Sequence, residues 1–348
     1  VKVALDFQQT IGTATGMGEY SRGLAEALEA AGVDVVRLRE PRLDPWRFDR
    51  RVAWDQLLLP LYARRSGADL LHCAAGTLPF ALTIPCVVTV HDVAWLRVQQ
   101  HTRAYARAYF GRLALSAYRR ASRIVVDSAF SRDELFAVAD LDPARVAVAY
   151  PGVAREFCLI DRRPRDRDPF VLAVGTVERR KNLAVVLRAI AGIPDLRLVS
   201  VGPPTPYLQE CRRLASDLGI ANRVEFRGYV QREALLDLYA SAAAAVAAST
   251  YEGFGYAAAQ ALCSGTPLLA SGAASHPEVV RGDAPLLDPQ DAGAWRDALG
   301  CIAGDRAGAS ARAAAVRPGA IARLGWNATA RTLIEVYRDA LASGLRAQ

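Results

Sequence analysis

The residues best suited to chemistry in this 348-residue sequence lie in Ser249–Pro267, STYEGFGYAAAQALCSGTP. Glu252 is the one acid there, with Gly253, Phe254 and Gly255 after it and an alanine-rich helical run beyond. A helix opening near Phe254 or Gly255 leaves backbone N–H groups at its mouth, where the helix dipole favours negative charge. A carboxylate in that place would repel a bare phosphate. It is better suited to accepting hydrogen bonds from sugar hydroxyls while the amides hold a neighbouring diphosphate. An N-capping glutamate followed by turn glycines is the competing reading. Gln260, eight residues on, is a polar side chain among small apolar ones.

Three further stretches offer partners. In Val174–Leu183, VGTVERRKNL, a strand ends at Gly175, Thr176 follows, and Arg179, Arg180 and Lys181 crowd the turn before a helix opening near Asn182. Cations at a helix N-terminus oppose its dipole, a cost that an anion bound there would offset; an exposed charged turn is the alternative. Among 43 basic residues only Lys2 and Lys181 are lysines, so a mid-chain lysine stands out. In Gly12–Tyr20, GTATGMGEY, Gly16 and Gly18 leave backbone amides unhindered, although the spacing is neither a dinucleotide fingerprint nor a P-loop. In VVTVHDVAW, His91 and Asp92 end a β-run, where His91 reads equally as a hydroxyl ligand or as a structurally satisfied histidine. His72, His101 and His276 lack metal-ligand spacing, and no nucleophile elbow occurs. The pair Asp166 and Asp168 has a spacing used for divalent metals, but it alternates with arginines before a strand and reads as a solvated linker.

The elements that must carry these residues alternate. β-rich runs at 1–7, 33–38, 69–72, 85–90, 123–126 and 145–149 are separated by helix-like segments such as Met17–Ala31. A second set follows at 170–174, 197–201, 223–226, 243–248 and 267–270. Such alternation predicts α/β architecture, two doubly wound parallel sheets whose carboxyl ends face a cleft. The expected domains are 1–155 (acceptor side), a charged linker 156–168, 169–325 (donor side), and a C-terminal segment 326–348 whose helix returns to the first domain. A chain that is 52% hydrophobic can fill two cores. No apolar stretch reaches membrane-span length, and the opening VKVALDF reads as a strand rather than a leader. The start without Met reads as trimmed or renumbered. Six scattered cysteines without a C-x-x-C pair read as buried, reduced thiols in a cytoplasmic protein. The charge of +7 points to anionic partners. From Val93 to Val126 there are seven arginines and no acid, with Tyr105, Tyr109, Phe110 and Tyr118 interleaved. A solvent-facing helix and a docking face for an anionic membrane or lipid-diphosphate both fit that stretch.

In this order and at these separations, EGFG (252–255), CSGTP (263–267), GTVERRKN (175–182), GMGEY (16–20), VTVHD (88–92) and FRGYV (226–230) resemble the motifs of retaining GT-B glycosyltransferases of family 4, the glycosyl transferases group 1. The resemblance covers nearly the whole chain. It implies that Lys181 and Arg180 hold a nucleotide-sugar's diphosphate, with Gly175 and Thr176 at the same turn and Gly16 or Gly18 closing over it. It implies that Glu252 binds the sugar's hydroxyls and that Gly253, Phe254 and Gly255 present backbone to sugar or phosphate. His91 would touch the sugar, and the Gly228–Val230 turn would border the base. Retention then proceeds on one face, the departing phosphate oxygen taking the acceptor's proton, with no metal and no other cofactor.

Two positions depart from the pattern: Gln260 stands where the family has a second glutamate that grips ribose, and Ala154 where it has an aspartate. Loss of a charge-assisted contact at Gln260 would weaken donor binding by roughly 1 kcal/mol. The expected reaction is transfer of a hexose, with mannose from GDP-mannose as the named candidate, to a glycan or lipid-linked acceptor in surface polysaccharide synthesis. It is placed in the cytoplasm, with peripheral contact to the inner face of the membrane as an added expectation. The alternative is a non-catalytic nucleotide-sugar-binding partner protein. A nucleotide-sugar epimerase or a phosphorylase is disfavoured by the motif order. Nucleic acid is not an expected partner, because the charge is scattered and no nucleic-acid module signature appears.

Overall fold

The computed structural model describes residues 1–12, 16–98, 104–164 and 167–345. These form two compact units, one of Val1–Ala154 with Gly325–Gln348 and one of Arg155–Leu324. Each is built on a six-stranded sheet in which every pairing is parallel.

In the first unit the strands are β1 (Lys2–Asp6), β2 (Asp34–Leu38), β3 (Leu70–Cys73), β4 (Cys86–Val90), β5 (Arg123–Val126) and β6 (Val146–Val148), ordered β2-β1-β3-β4-β5-β6. The period of two sorts their side chains between two cores. Val3 and Leu5 face one core and Ala4 the other; Val87 faces the first, Cys86 and Val88 the second. The helix Gly16–Ala30 covers one face with Tyr20, Leu24 and Leu28. The terminal helix Trp326–Leu345 joins that face through Ala330, Leu333, Val336, Tyr337 and Ala340. A buried hydrogen-bond chain fixes its register, from the Tyr337 hydroxyl to His72 Nδ1 at 2.6 Å, His72 Nε2 to Thr89 at 2.8 Å, and Thr89 to the Tyr20 hydroxyl at 3.0 Å. Burial pushes the His72 imidazole down to about 3, so it stays neutral there.

In the second unit β7 (Phe170–Val174), β8 (Arg197–Val201), β9 (Val224–Gly228), β10 (Ala244–Ala247), β11 (Leu268–Ser271) and β12 (Leu286–Leu287) are ordered β12-β11-β10-β7-β8-β9. The strand order reverses between β7 and β10, the place where open parallel sheets bind ligands at their carboxyl ends. The helix Leu183–Ala191 buries Leu183, Val185, Val186, Leu187 and Ile190 on this sheet, beside Trp295.

Eleven strands fall within two residues of the ranges expected from the sequence. The two-residue β12 is too short to leave a periodic signal. The stretch read as a linker lies inside the second unit. Arg162 within it donates to the carbonyls of Tyr239, Ala240 and Ala242, the last at 2.7 Å. Asp166 lies outside the described residues. Four cysteines are buried as expected, but Cys158 is only partly buried and Cys301 is exposed, and none of the six is in a disulfide.

Candidate functional site

At the switch point of the second sheet, the turn after β7 brings Arg179–Lys181 toward the loop after β10. The contact is direct: Lys181 Nζ donates to Glu252 Oε1, and Arg180 Nη1 donates to Glu252 Oε2. Arg180 also donates to the Tyr251 carbonyl at 3.1 Å and pairs with Glu178 at 2.7 Å. Burial alone would push the Glu252 carboxyl up, but Lys181 and then Arg180 outweigh it and hold the group down at about 2. Glu252 is therefore a carboxylate clamped between two cations. The capping reading does not hold, because the helix Tyr256–Ser264 starts behind Gly255 with no side-chain cap. Gly255 itself has a φ of +91°, a conformation that favours glycine. Arg179 pairs with Glu210 at 2.7 Å and is solvated.

This cluster borders an open pocket lined by Gly175, Thr176, Lys181, Ser200, Ser249, Glu252 and His276 among others. Gly175 leaves room for the lysine, since a Cβ there would sit 3.3 Å from Lys181 Cε. Phe254 is buried and meets Tyr256 edge to face with ring centroids 5.2 Å apart, and Gly253 is buried beside it. Gly228 ends β9, its carbonyl accepting from Gly202 N at 2.8 Å, and Val230 is partly buried two residues on. Gln260 lies on the second turn of the helix, where its Oε1 accepts from the Tyr239 hydroxyl at 3.1 Å. It is not among the residues lining the pocket.

In the first unit, Gly16 opens its helix and Gly18 packs tightly, a Cβ there falling 2.7 Å from the Gln9 carbonyl oxygen. The intervening positions 13–15 lie outside the described residues. His91 follows β4 and Asp127 follows β5, the neighbouring strand. Both ring nitrogens of His91 are engaged, Nε2 donating to the Ala74 carbonyl at 2.9 Å and Nδ1 facing Asp127 Oδ2 at 2.8 Å. Burial pushes the imidazole down, but Asp127 outweighs it and raises His91 above its ordinary value. Of the two sequence readings, the satisfied histidine is the one present here. Two of the interleaved tyrosines of 93–126 are also turned inward, Tyr109 donating to Asp55 at 2.9 Å and Tyr118 to the Gly76 carbonyl at 2.7 Å. Arg97 pairs with Glu134 at 2.7 Å, Arg103 lies outside the described residues, and Arg107, Arg112, Arg119 and Arg120 are exposed. Among the described residues no three His, Cys, Asp or Glu side chains gather as a metal site.

Two family profiles cover most of the chain, Glycosyltransferase Family 4 over residues 14–157 and Glycosyl transferases group 1 over residues 160–307. The chain thus resembles glycosyltransferase family 4 along both of its halves. A D-inositol 3-phosphate glycosyltransferase of Mycolicibacterium paratuberculosis is 34% identical over 238 residues, 64% of this chain and 53% of that protein. A protein of the same name from Mycobacterium leprae is 32% identical over 243 residues, 64% of this chain and 55% of its own. The chain thus spans about half the length of the curated relatives it matches. Among solved structures, a sucrose-phosphate synthase from Thermosynechococcus elongatus superposes with a TM-score of 0.76 at 23% identity, covering 98% of this chain and 99% of that one. HepE of Anabaena, solved with UDP and glucose, gives 0.75 at 18% identity, covering 97% and 99%. These likenesses show the GT-B fold.

Sequence reasoning missed Gly202 and His276. Gly202 ends β8 as Gly175 ends β7, and a Cβ on it would collide with the Gly175 carbonyl. The repeated strand-then-glycine pattern, AVGT and SVGP, was a signal for it. His276 had no such signal.

Proposed function

We propose that the chain transfers a hexose from a nucleotide-sugar to an acceptor hydroxyl, with retention of configuration and without a metal ion. The observation that carries this reading is the clamp of Glu252 between Lys181 and Arg180 at a sheet switch point. A donor diphosphate would take over the two cations and leave the carboxylate to sugar hydroxyls. In the reaction the bond from C1 to the phosphate oxygen breaks, and the nucleoside diphosphate leaves with its charge met by Lys181 and Arg180. The acceptor oxygen bonds to C1 on the same face, and its proton passes to the departing phosphate oxygen. With two cations on the diphosphate, the proposal needs no divalent ion.

GDP-mannose is the donor named by the likeness of GTVERRKN, and a UDP-sugar is a second reading favoured by HepE having been solved with UDP and glucose. The proposed acceptor is a glycan or lipid-linked molecule in surface polysaccharide synthesis, and the proposed location is cytoplasmic with peripheral membrane contact. Among the described residues no helix is long and apolar enough to cross a membrane. Support for surface contact comes from exposed Arg112, Arg119 and Arg120, with exposed Leu113 next to Arg112 in the chain and exposed Phe80 lining the same hollow as Leu113. Flotation on anionic but not neutral liposomes is expected; equal flotation on both, or none on either, contradicts the contact.

The test of the reaction is incubation with UDP-, GDP-, ADP- and dTDP-sugars in EDTA, with NMR of the released or transferred sugar. Turnover of one donor with the anomeric configuration kept is expected. Inversion, or turnover that stops with EDTA, contradicts the mechanism, and no turnover of a donor that binds favours the non-catalytic reading.

A further inference from the structure

Behind the Glu252 turn, the Ser249 backbone carbonyl, the Ser271 hydroxyl and the His276 imidazole form a relay. The Ser271 hydroxyl lies 2.5 Å from the Ser249 carbonyl oxygen and 2.8 Å from His276 Nδ1. A carbonyl only accepts, so the serine proton points to Ser249, and the serine oxygen must take its second hydrogen bond from Nδ1–H. That fixes the tautomer: Nδ1 carries the hydrogen and Nε2 keeps a lone pair. Nε2 has no partner among the described residues, although His276 is 1% exposed. Buried polar groups without partners are uncommon and call for a reason.

The position of the ring supplies one. His276 lines the same pocket as Lys181 and Glu252. A Cβ placed on Gly255 would fall 3.1 Å from His276 Nε2 and 3.6 Å from Glu252 Cγ, so imidazole and carboxylate flank the same bare backbone. Burial pushes the imidazole down to about 4, and the opposing pull of Glu252 does not reverse this. A group kept uncharged and unprotonated at Nε2 accepts hydrogen bonds and cannot donate one.

We propose that His276 is a specificity-determining residue of the pocket, its Nε2 accepting a hydrogen bond from a hydroxyl of the donor's sugar alongside Glu252. This rests on the donor reading of the site and adds a requirement to it: the sugar must present a hydroxyl to the His276 side as well as to Glu252. A phosphate oxygen is excluded at that point, because at neutral pH it too is an acceptor. The bare nucleotide should therefore be indifferent to His276, whereas the nucleotide-sugar should feel it.

Two substitutions separate this role from packing. His276→Asn keeps a nitrogen donor near the Nδ1 position for Ser271 and deletes the Nε2 acceptor. His276→Gln places an amide near Nε2 and gives up the Ser271 bond. Calorimetric titration of the wild-type protein and both variants with UDP, UDP-glucose, GDP and GDP-mannose compares each sugar nucleotide with its own nucleotide. The expected result is about five-fold weaker binding of the sugar nucleotide to H276N, the factor carried by one lost neutral hydrogen bond, with nucleotide affinity unchanged and H276Q close to wild type. In parallel, 15N NMR should find Nε2 unprotonated, with its resonance moving when the sugar nucleotide binds and staying still with the nucleotide alone. If H276N binds the sugar nucleotide as the wild type does, or if both ligands weaken equally, the inference is overturned while the donor reading stands. If none of the four ligands binds the wild-type protein, the GDP-mannose and UDP-sugar readings of the donor fall and this inference with them.

Discussion

Replacing Glu252 with Gln removes the carboxylate that two partly buried cations share, and the structure sets the size of the effect. The Glu252 side chain is 10% exposed, Arg180 18% and Lys181 20%, so solvent screens the cluster only weakly. The carboxyl is held from its ordinary 4.5 down to about 2. At about 1.4 kcal/mol per unit, that is a contribution of about 3 kcal/mol to the folded second unit. A depressed carboxyl contributes fully above its unfolded value and loses the contribution as pH falls through its folded value. The stabilisation is therefore complete above pH 4.5 and disappears toward pH 2. Calorimetric melting of wild type and E252Q at pH 7, 5 and 3 reads it out. At pH 7 the variant should melt about 6–12 °C lower in the transition of the second unit, taking 2–4 °C per kcal/mol. At pH 5 the gap should persist, and at pH 3 it should have narrowed clearly. Equal melting at pH 7, or a gap that does not change down to pH 3, would refute the reasoning that the Lys181 and Arg180 charges hold Glu252 ionised.

Other consequences can be checked separately. Lys181→Ala should lose about 10²–10³-fold in turnover, the scale of removing one preorganised stabiliser of developing charge, while EDTA leaves the wild-type rate unchanged; a steady-state assay with the responsive donor decides. Gln260→Glu should tighten donor binding by about five-fold, since a carboxylate gives a charge-assisted bond where the amide gives a neutral one, and it can still accept from the Tyr239 hydroxyl; unchanged affinity would remove Gln260 from the ribose contact. Gly23→Ala raises helix propensity by about 1 kcal/mol, yet its Cβ would collide with the Trp326 indole, an overpacking that costs about 1–3 kcal/mol. Urea unfolding of the first unit should show a lower midpoint, and a raised one would contradict the packing of the terminal helix on Gly23.

Much of the fold was readable because parallel strands buried on both faces leave short β-branched runs, as in FVLAV and RIVV, and because glycines punctuate their ends. The cation turn was readable because Lys181 stands alone in an arginine-rich chain. What the sequence could not convey is who meets whom. Glu252 pairs with residues 71 and 72 positions away, and that pairing replaced the local capping role that its neighbours suggested. His91 was legible as a strand-end histidine, but its engagement by Asp127 and Ala74 depends on the order of β3, β4 and β5. Tyr109 and Tyr118 looked like surface aromatics among arginines. Only the helical packing shows their hydroxyls aimed at Asp55 and Gly76. Ser249, Ser271 and His276 are each unremarkable alone, and their relay exists only because β10 and β11 are neighbours.

The most direct test of the central claim, that Lys181, Arg180 and Glu252 form the donor site, is titration calorimetry with UDP-glucose and GDP-mannose in EDTA on the wild-type protein and Lys181→Ala. The expected result is EDTA-insensitive binding of one donor to the wild type, weakened at least ten-fold in the variant, in line with loss of a charge-assisted contact of about 1.5–3 kcal/mol. Equal affinity for the two proteins, or a donor that binds only with added metal, would contradict it.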